Sequence, residues 1–295
     1  MATTRRRGPK AGSIAIPFLV TLLISLIVLG GVGYYFYGKL TENHRELQTL
    51  KSATTSISGD DVNEILFALT PTDAEHGQPA VMLLRFDPVR KQEFCIGIPV
   101  NLIIDHDGKD ETVQQCLENH GVQTLRNDLG KALDQTINRY VSLNSEGFAH
   151  LLGLIGNVSY VVTIRDRDLR PSDVSQELEV TQFEQLLTSR NYNSEVERNS
   201  VIGFSVAALL NQCEGLRISK NIDSYFKTMI NSVTTDITAQ DFSEHRHAIT
   251  YMFENTNGAA ARGVTLAYDQ DGDNLRLANG VTDTLKTTFS QKSAD

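Results

Sequence analysis

The sequence predicts an α/β domain behind one membrane-spanning helix. Three observations lead there. The chain has 295 residues, and one run in it, Ile14–Tyr37, holds no charged side chain over 24 residues. A helix needs roughly 20 residues to cross a bilayer. Beyond that run, short apolar stretches such as AVMLL and FCIGI have strand length and are bounded by turn residues. They alternate with longer stretches of helical period, such as Val122, Leu125, Leu129 and Leu133. Strands apolar on both sides predict a central mixed sheet covered by helices on each face.

The membrane segment comes first. Arg5, Arg6, Arg7 and Lys10 precede the span with no acidic residue among them. Positive flanks stay cytoplasmic, so the remainder of the chain is expected outside the cell membrane. Pro17 stands near the start of the helix, where proline is best tolerated. Tyr34, Tyr35 and Tyr37 gather at its far end, as aromatic belts do at headgroup level. A cleaved signal peptide has a shorter apolar core and a small-residue cleavage site, which this run lacks. The expected order is a cytoplasmic tail over 1–12, a transmembrane helix over 13–37, a juxtamembrane linker over 38–59 and an extracellular domain over 60–291.

Within the domain, strands are expected at Val62–Thr70, Pro79–Pro88 and Glu93–Pro99, with DPVRKQ as the turn between the last two. Helices are expected at Asp110–Gly121, closed by its glycine, and at Gly121–Gln135. A strand at Arg139–Asn144, a helix at Ser145–Gly156 and a strand at Asn157–Ile164 follow. Arg165–Glu177 reads as loop, Thr181–Arg190 as a short helix and Ser194–Cys213 as a long buried one. Asn221–Thr238 reads as a further helix, and VTLAYD and NLRLAN close the chain as a hairpin around QDGD.

Charge excludes one class of partner. The chain has 27 Lys and Arg; without the four in the tail, 23 remain against 36 Asp and Glu, a net charge of −13. Nucleic acid needs a basic surface, so none is expected as a partner. Cys95, Cys116 and Cys213 are scattered and match no metal or redox spacing; one disulfide would be compatible with them. Asp105-His106-Asp107 precedes Gly108 and reads as a turn. His245 and His247 stand two apart, a spacing that splits them on a helix, with no third metal partner evident. Asp269–Asp273 begins like a calcium loop but has Gly280 where a bidentate Glu is needed.

Four stretches in order resemble one family. LLRFDPVRKQEFCIGIP is similar to a strand, an Asp-Pro turn and a Ser-Ile-Pro strand of the LytR-CpsA-Psr proteins. HGVQTLRNDLGKALDQTINRYVSLNSEGFAHLLGLIGNVSYVV resembles the segment in which that family has a Gly-Gly-Val turn, here Gly156-Asn157-Val158. SRNYNSEVERNSVIGFSVAALLNQ resembles its Arg-rich motif opening a long helix, and VTTDIT a later Thr-Asp. The resemblance runs from about Leu66 to Asp241. It implies a single-pass envelope protein and an α/β sandwich with a lipid pocket. It also implies transfer of glycopolymer from a polyprenyl-phosphate carrier onto peptidoglycan, with Mg²⁺.

The same resemblance nominates the site. Arg190 and Arg198 would hold phosphate, because a guanidinium fork matches phosphate oxygens in pairs. Glu195 takes the position of a catalytic, Mg²⁺-binding acid. Elsewhere the motif departs from the family. Its Arg-x-Asp falls on Gly77-Gln78-Pro79, and its Ser-Ile-Pro-Arg-Asp on Gly97-Ile98-Pro99-Val100-Asn101. Val201 and Ile202 replace a second Arg and a Gln. Asn101 can hydrogen-bond a substrate but brings no charge to a cation. At about 1.4 kcal/mol per tenfold in rate, losing two arginines and two aspartates predicts weakened or lost catalysis. The alternative is a pseudoenzyme that binds polyprenyl lipid or a partner protein as a scaffold or regulator. A purely structural ectodomain is a third reading, since the apolar runs serve equally well as ordinary core.

Overall fold

Hydrogen-bonded ladders between remote segments organise the chain. The computed structural model describes residues 56–256 and 260–290. The run expected to cross the membrane, the expected tail and most of the expected linker lie outside them, and among the described residues no helix is long and apolar enough to cross a membrane. In chain order the elements are β1 (Asn63–Thr70), β2 (Ala80–Asp87), β3 (Gln92–Ile98), β4 (Ile103–His106) and β5 (Lys109–Thr112). Then come α1 (Val113–Leu133), β6 (Arg139–Asn144), α2 (Ser145–Ile155), β7 (Val158–Tyr160) and β8 (Gln176–Leu178). Next are α3 (Val180–Thr188), α4 (Glu195–Gln212), α5 (Gly215–Lys220), α6 (Ile222–Ser232) and β9 (Thr234–Thr235). The series closes with α7 (Ala239–Asn255), β10 (Ala261–Gly263), β11 (Tyr268–Asp271), β12 (Asn274–Leu277) and α8 (Val281–Ser290).

Six of these strands form one sheet in the order β10-β3-β2-β1-β6-β9. The pairs β1–β6 and β10–β3 are parallel, and β1–β2, β2–β3 and β6–β9 are antiparallel, so the sheet is mixed as expected. Side chains alternate across it. Val81, Leu83, Phe94, Ile96 and Ile98 enter one core with Leu125, Leu129 and Leu133 of α1 and Leu285 and Phe289 of α8. Met82 and Cys95 enter the other, with Leu152 of α2, Phe183 and Leu186 of α3, and Ile202 and Leu209 of α4. Two cores explain why β2 and β3 are apolar on every side. Asp87 is sealed in the β2–β3 turn, where it accepts from the Arg90 backbone N–H at 2.9 Å and from its guanidinium at 2.9 Å.

Several elements depart from expectation. The Asp105-His106-Asp107 turn belongs to a β4–β5 hairpin, closed by Asp107 at φ 50 and Gly108 at φ 80, the positive angles that a two-residue hairpin turn demands. Strand β5 therefore takes 109–112, and the helix begins only at Val113, where Thr112 and Gln115 form a reciprocal cap. Gly121, at φ 80 and ψ 170, is non-helical and divides α1 into two helical segments that meet at a kink, as the sequence predicts. The strand expected over 157–164 is only three residues long, and its partner β8 is recruited from the end of the polar loop. Helix α6 stops at Ser232, because Thr234 and Thr235 pair with β6 and Asp236 accepts from the Tyr140 N–H at 2.8 Å. The chain closes on α8 rather than on the hairpin, and all three cysteines are free.

Candidate functional site

Parallel strands open a crevice where their C-terminal ends lie side by side, because the loops that follow diverge. Strands β1 and β6 meet that condition at Thr70 and Asn144. After Thr70 the chain loops through 71–79; after Asn144, whose side chain caps the Gly147 N–H at 2.9 Å, it enters α2. A cavity of about 350 Å³ lies there, lined by Asp73, Ser145, Arg167, Glu184, Gln185 and Thr188 among others. Its polar groups pair with one another. Arg167 donates to Asp73 at 3.1 Å, and Ser145 donates to Glu184 at 2.5 Å while accepting from the Thr72 N–H at 2.9 Å. Contact with His76, and with Arg167 behind it, draws the Asp73 carboxyl below its ordinary pKa.

The segments nominated by the resemblance converge beside this crevice. Arg190, just past α3, donates through Nε and an η-amino group to the Gly77 carbonyl at 3.2 and 2.9 Å. Arg198, in the first turn and a half of α4, is 0% exposed. Its η-amino groups donate to the carbonyls of Pro79 at 2.7 Å and Leu187 at 2.9 Å and to Glu195 at 3.2 Å. Only its Nε is buried without an acceptor. Burial pulls the Arg198 pKa below the usual arginine value, opposed by Glu195. Gln78 completes the cluster by donating to Glu195 at 2.7 Å. So the place where the family resemblance implies an Arg-x-Asp instead presents two backbone carbonyls, which accept from Arg190 and Arg198, and an amide, which donates to Glu195.

Helix α4 lies directly on β3 here. A methyl group at Gly97 would collide with the Asn199 carbonyl, and one at Gly203 would stand 2.7 Å from the Cys95 carbonyl. No gap wide enough for an acyl chain fits between backbones at that distance. Neither the crevice cavity nor three others among the described residues is lined by Arg190, Glu195, Arg198 or Asn101. Asn101 is turned elsewhere: its amide donates to the Asp273 carbonyl at 2.8 Å, in the β11–β12 turn, and its Oδ1 is buried without a partner. The structure thus brings Arg190, Glu195 and Arg198 together around 77–79 and leaves Asn101 on another contact.

Glu195 does not suit Mg²⁺. Both of its carboxylate oxygens already receive N–H donors, from Gln78 and Arg198, and no second carboxylate is bonded into the cluster. Hard cations want several free oxygens. Among the described residues no group of three or more metal-ligating side chains stands ready for an ion. His245 and His247 instead face Asp61, at 3.2 and 3.6 Å, a partner that spacing alone does not reveal. Residues missed in the sequence include Asp73, Glu184 and Arg167. The dense alternation RDRDLRPSD around Arg167 was the available signal, but loops and sites share that composition.

Comparisons with known proteins bear on the fold. No protein-family model matches this sequence, and no curated protein matches it. Solved structures do. A protein of Eubacterium siraeum described as a transcription regulator is 18% identical, with TM-score 0.69, over 81% of this chain and 95% of that one. TagV of B. subtilis is 14% identical, with TM-score 0.59, over 77% and 95%. TagT, solved bound to LI-WTA, is 13% identical, with TM-score 0.57, over 80% and 92%. The likeness is one of fold, the LytR-CpsA-Psr-like architecture implied by the four sequence stretches.

Proposed function

We propose that this chain serves cell-envelope glycopolymer assembly as a LytR-CpsA-Psr-like protein whose phosphotransfer chemistry is weakened or lost. It would sit in the cell membrane on its N-terminal helix and hold a polyprenyl-linked carrier or a partner protein near peptidoglycan, without turning the carrier over. One observation carries the reading. Arg198 gives its η-amino groups to its own backbone and to Glu195 while wholly buried. A phosphate competing for that guanidinium would have to break those bonds and orphan the carbonyls, at about 1–3 kcal/mol for each. TagT, of related fold, has been solved bound to LI-WTA, which supports the substrate class for the fold and leaves the residues of this chain to decide its chemistry.

The test titrates the full chain in detergent with a polyprenyl pyrophosphate, with and without Mg²⁺. The expected result is affinity indifferent to Mg²⁺ and no release of the glycopolymer from a lipid-linked donor. Tight Mg²⁺-dependent binding that Arg190→Ala abolishes would restore the enzyme reading.

A further inference from the structure

The far end of α4 holds a second cavity, of about 280 Å³, where Leu210, Asn211 and Cys213 meet Leu216 of α5, Phe253 and Glu254 of α7, and Glu93 of β3. Asn211 is 13 residues beyond Arg198, about 20 Å along the helix. The cavity is therefore separate from the crevice and the arginine cluster. Gly215 packs against the Phe253 carbonyl, which holds α5 close to α7.

Electrostatics at this cavity point one way. Helices α4 and α7 both end at it, at Gln212 and Asn255, and each C-terminus carries roughly half a negative charge. Glu93 and Glu254 add carboxylates, and no basic side chain is among the described lining residues. Arg217, two residues from Gly215, turns to Glu214 at 3.2 Å and to the carbonyls of Leu154 and Ile155. Three other polar groups of the lining are satisfied. Asn211 exchanges two bonds with the Ala261 backbone, Cys213 donates to the Leu210 carbonyl, and Thr256 donates to that of Met252. The Glu93 carboxyl has no hydrogen-bond partner among the described residues. Burial, with no compensating charge, pushes its pKa up to about 7.

We propose that this cavity binds a small organic cation, a protonated primary amine on a short apolar body, with the ammonium on Glu93 and the body against Leu210, Leu216 and Phe253. A metal ion is the poorer match, because among the described residues no group of three or more metal-ligating side chains converges there. An anion would meet two carboxylates and two negative helix ends. The site is independent of the glycopolymer reading and would survive its failure.

Isothermal titration of the full chain with n-pentylamine, and with 1-pentanol as the uncharged counterpart, tests the proposal. The amine should bind at least about tenfold more tightly than the alcohol, the worth of one charge-assisted bond of 1.4 kcal/mol. Its affinity should rise about tenfold from about pH 6 to about pH 8, as the carboxyl ionises. Glu93→Gln should erase both the preference and the pH dependence. Leu216→Trp, at an exposed position on the rim, should fold normally and weaken the amine by at least about fivefold, because the added ring fills the cavity. Equal binding of amine and alcohol, binding of neither up to millimolar concentration, or wild-type affinity in Leu216→Trp would overturn it.

Discussion

The two ends of α4 handle charge in opposite ways. At its start, Arg198 is buried and matched: carbonyls from β2's approach and from α3 accept from it, Glu195 pairs with it, and Gly97 lets the helix press onto the sheet. At its end, Glu93 lines a cavity beneath the helix terminus with no basic side chain among the described lining residues. A buried charge with both η-amino groups bonded is a tie between segments. A half-buried carboxyl without described partners is a cost the fold carries, and ligands are recognised at such costs. The contrast separates a position that resembles a catalytic motif from one that resembles nothing and has the unmet chemistry.

The comparison can be broken at either end, and the largest effect belongs to Arg198. Arg198→Ala should lose about 3–5 kcal/mol of stability in urea denaturation, since it orphans two carbonyls and Glu195 in a dry environment. Arg198→Lys should recover little, because one ammonium cannot span the same acceptors. If Arg198→Ala melts like the wild type, the guanidinium is not a structural tie.

Glu93→Gln should move stability the other way. The folded carboxyl has its pKa raised to about 7 from the ordinary glutamate value of 4.5, so the folded state holds the proton more tightly than the unfolded one. Stability from this group is whole below the unfolded value and falls as pH rises through the folded one. The variant should therefore match the wild type near pH 4 and exceed it by about 2–3 kcal/mol near pH 8, at 1.4 kcal/mol per pKa unit. Denaturation midpoints at the two pH values decide; an equal gap at both would remove the premise of a desolvated carboxyl.

Gly97→Ala comes next. The added methyl collides with the Asn199 backbone, so α4 must lift off the sheet. The expected loss is about 1–3 kcal/mol, read as a lower melting temperature. A neutral result would mean that the helix has room to move, and with it room for a chain of lipid. Arg190→Ala should be the mildest. The residue is exposed and bonds the Gly77 carbonyl, so a loss of about 0.5–1 kcal/mol is expected. A larger loss would make its end of the cluster as much a tie as Arg198.

Legibility followed the length scale of the interaction. The strands at 63–70, 80–87 and 92–98, the helix over 195–212 and the hairpin at the end of the sheet domain were readable from period and turn residues. The grouping of Arg190 with Glu195 and Arg198 was readable from motif order. The β5 strand was hidden because Lys109–Thr112 has no apolar pattern and is held by pairing with β4. The last helix was hidden because VTDTLKTTFS is rich in Thr, a poor helix former, and is stabilised by Val281, Leu285 and Phe289 reaching the core.

By itself the sequence determined the charge-free run, the acidic balance, the alternation of strands and helices and the family they resemble, because each depends on neighbours a few residues apart. Tertiary structure alone decided what the charged groups do. Arg198 is committed to a carbonyl 119 residues away, Glu195 to an amide 117 residues away, and Glu93 to no described partner at all. Hydrogen bonds form through space within about 3 Å, and no local pattern of residues records which remote groups will arrive at that distance.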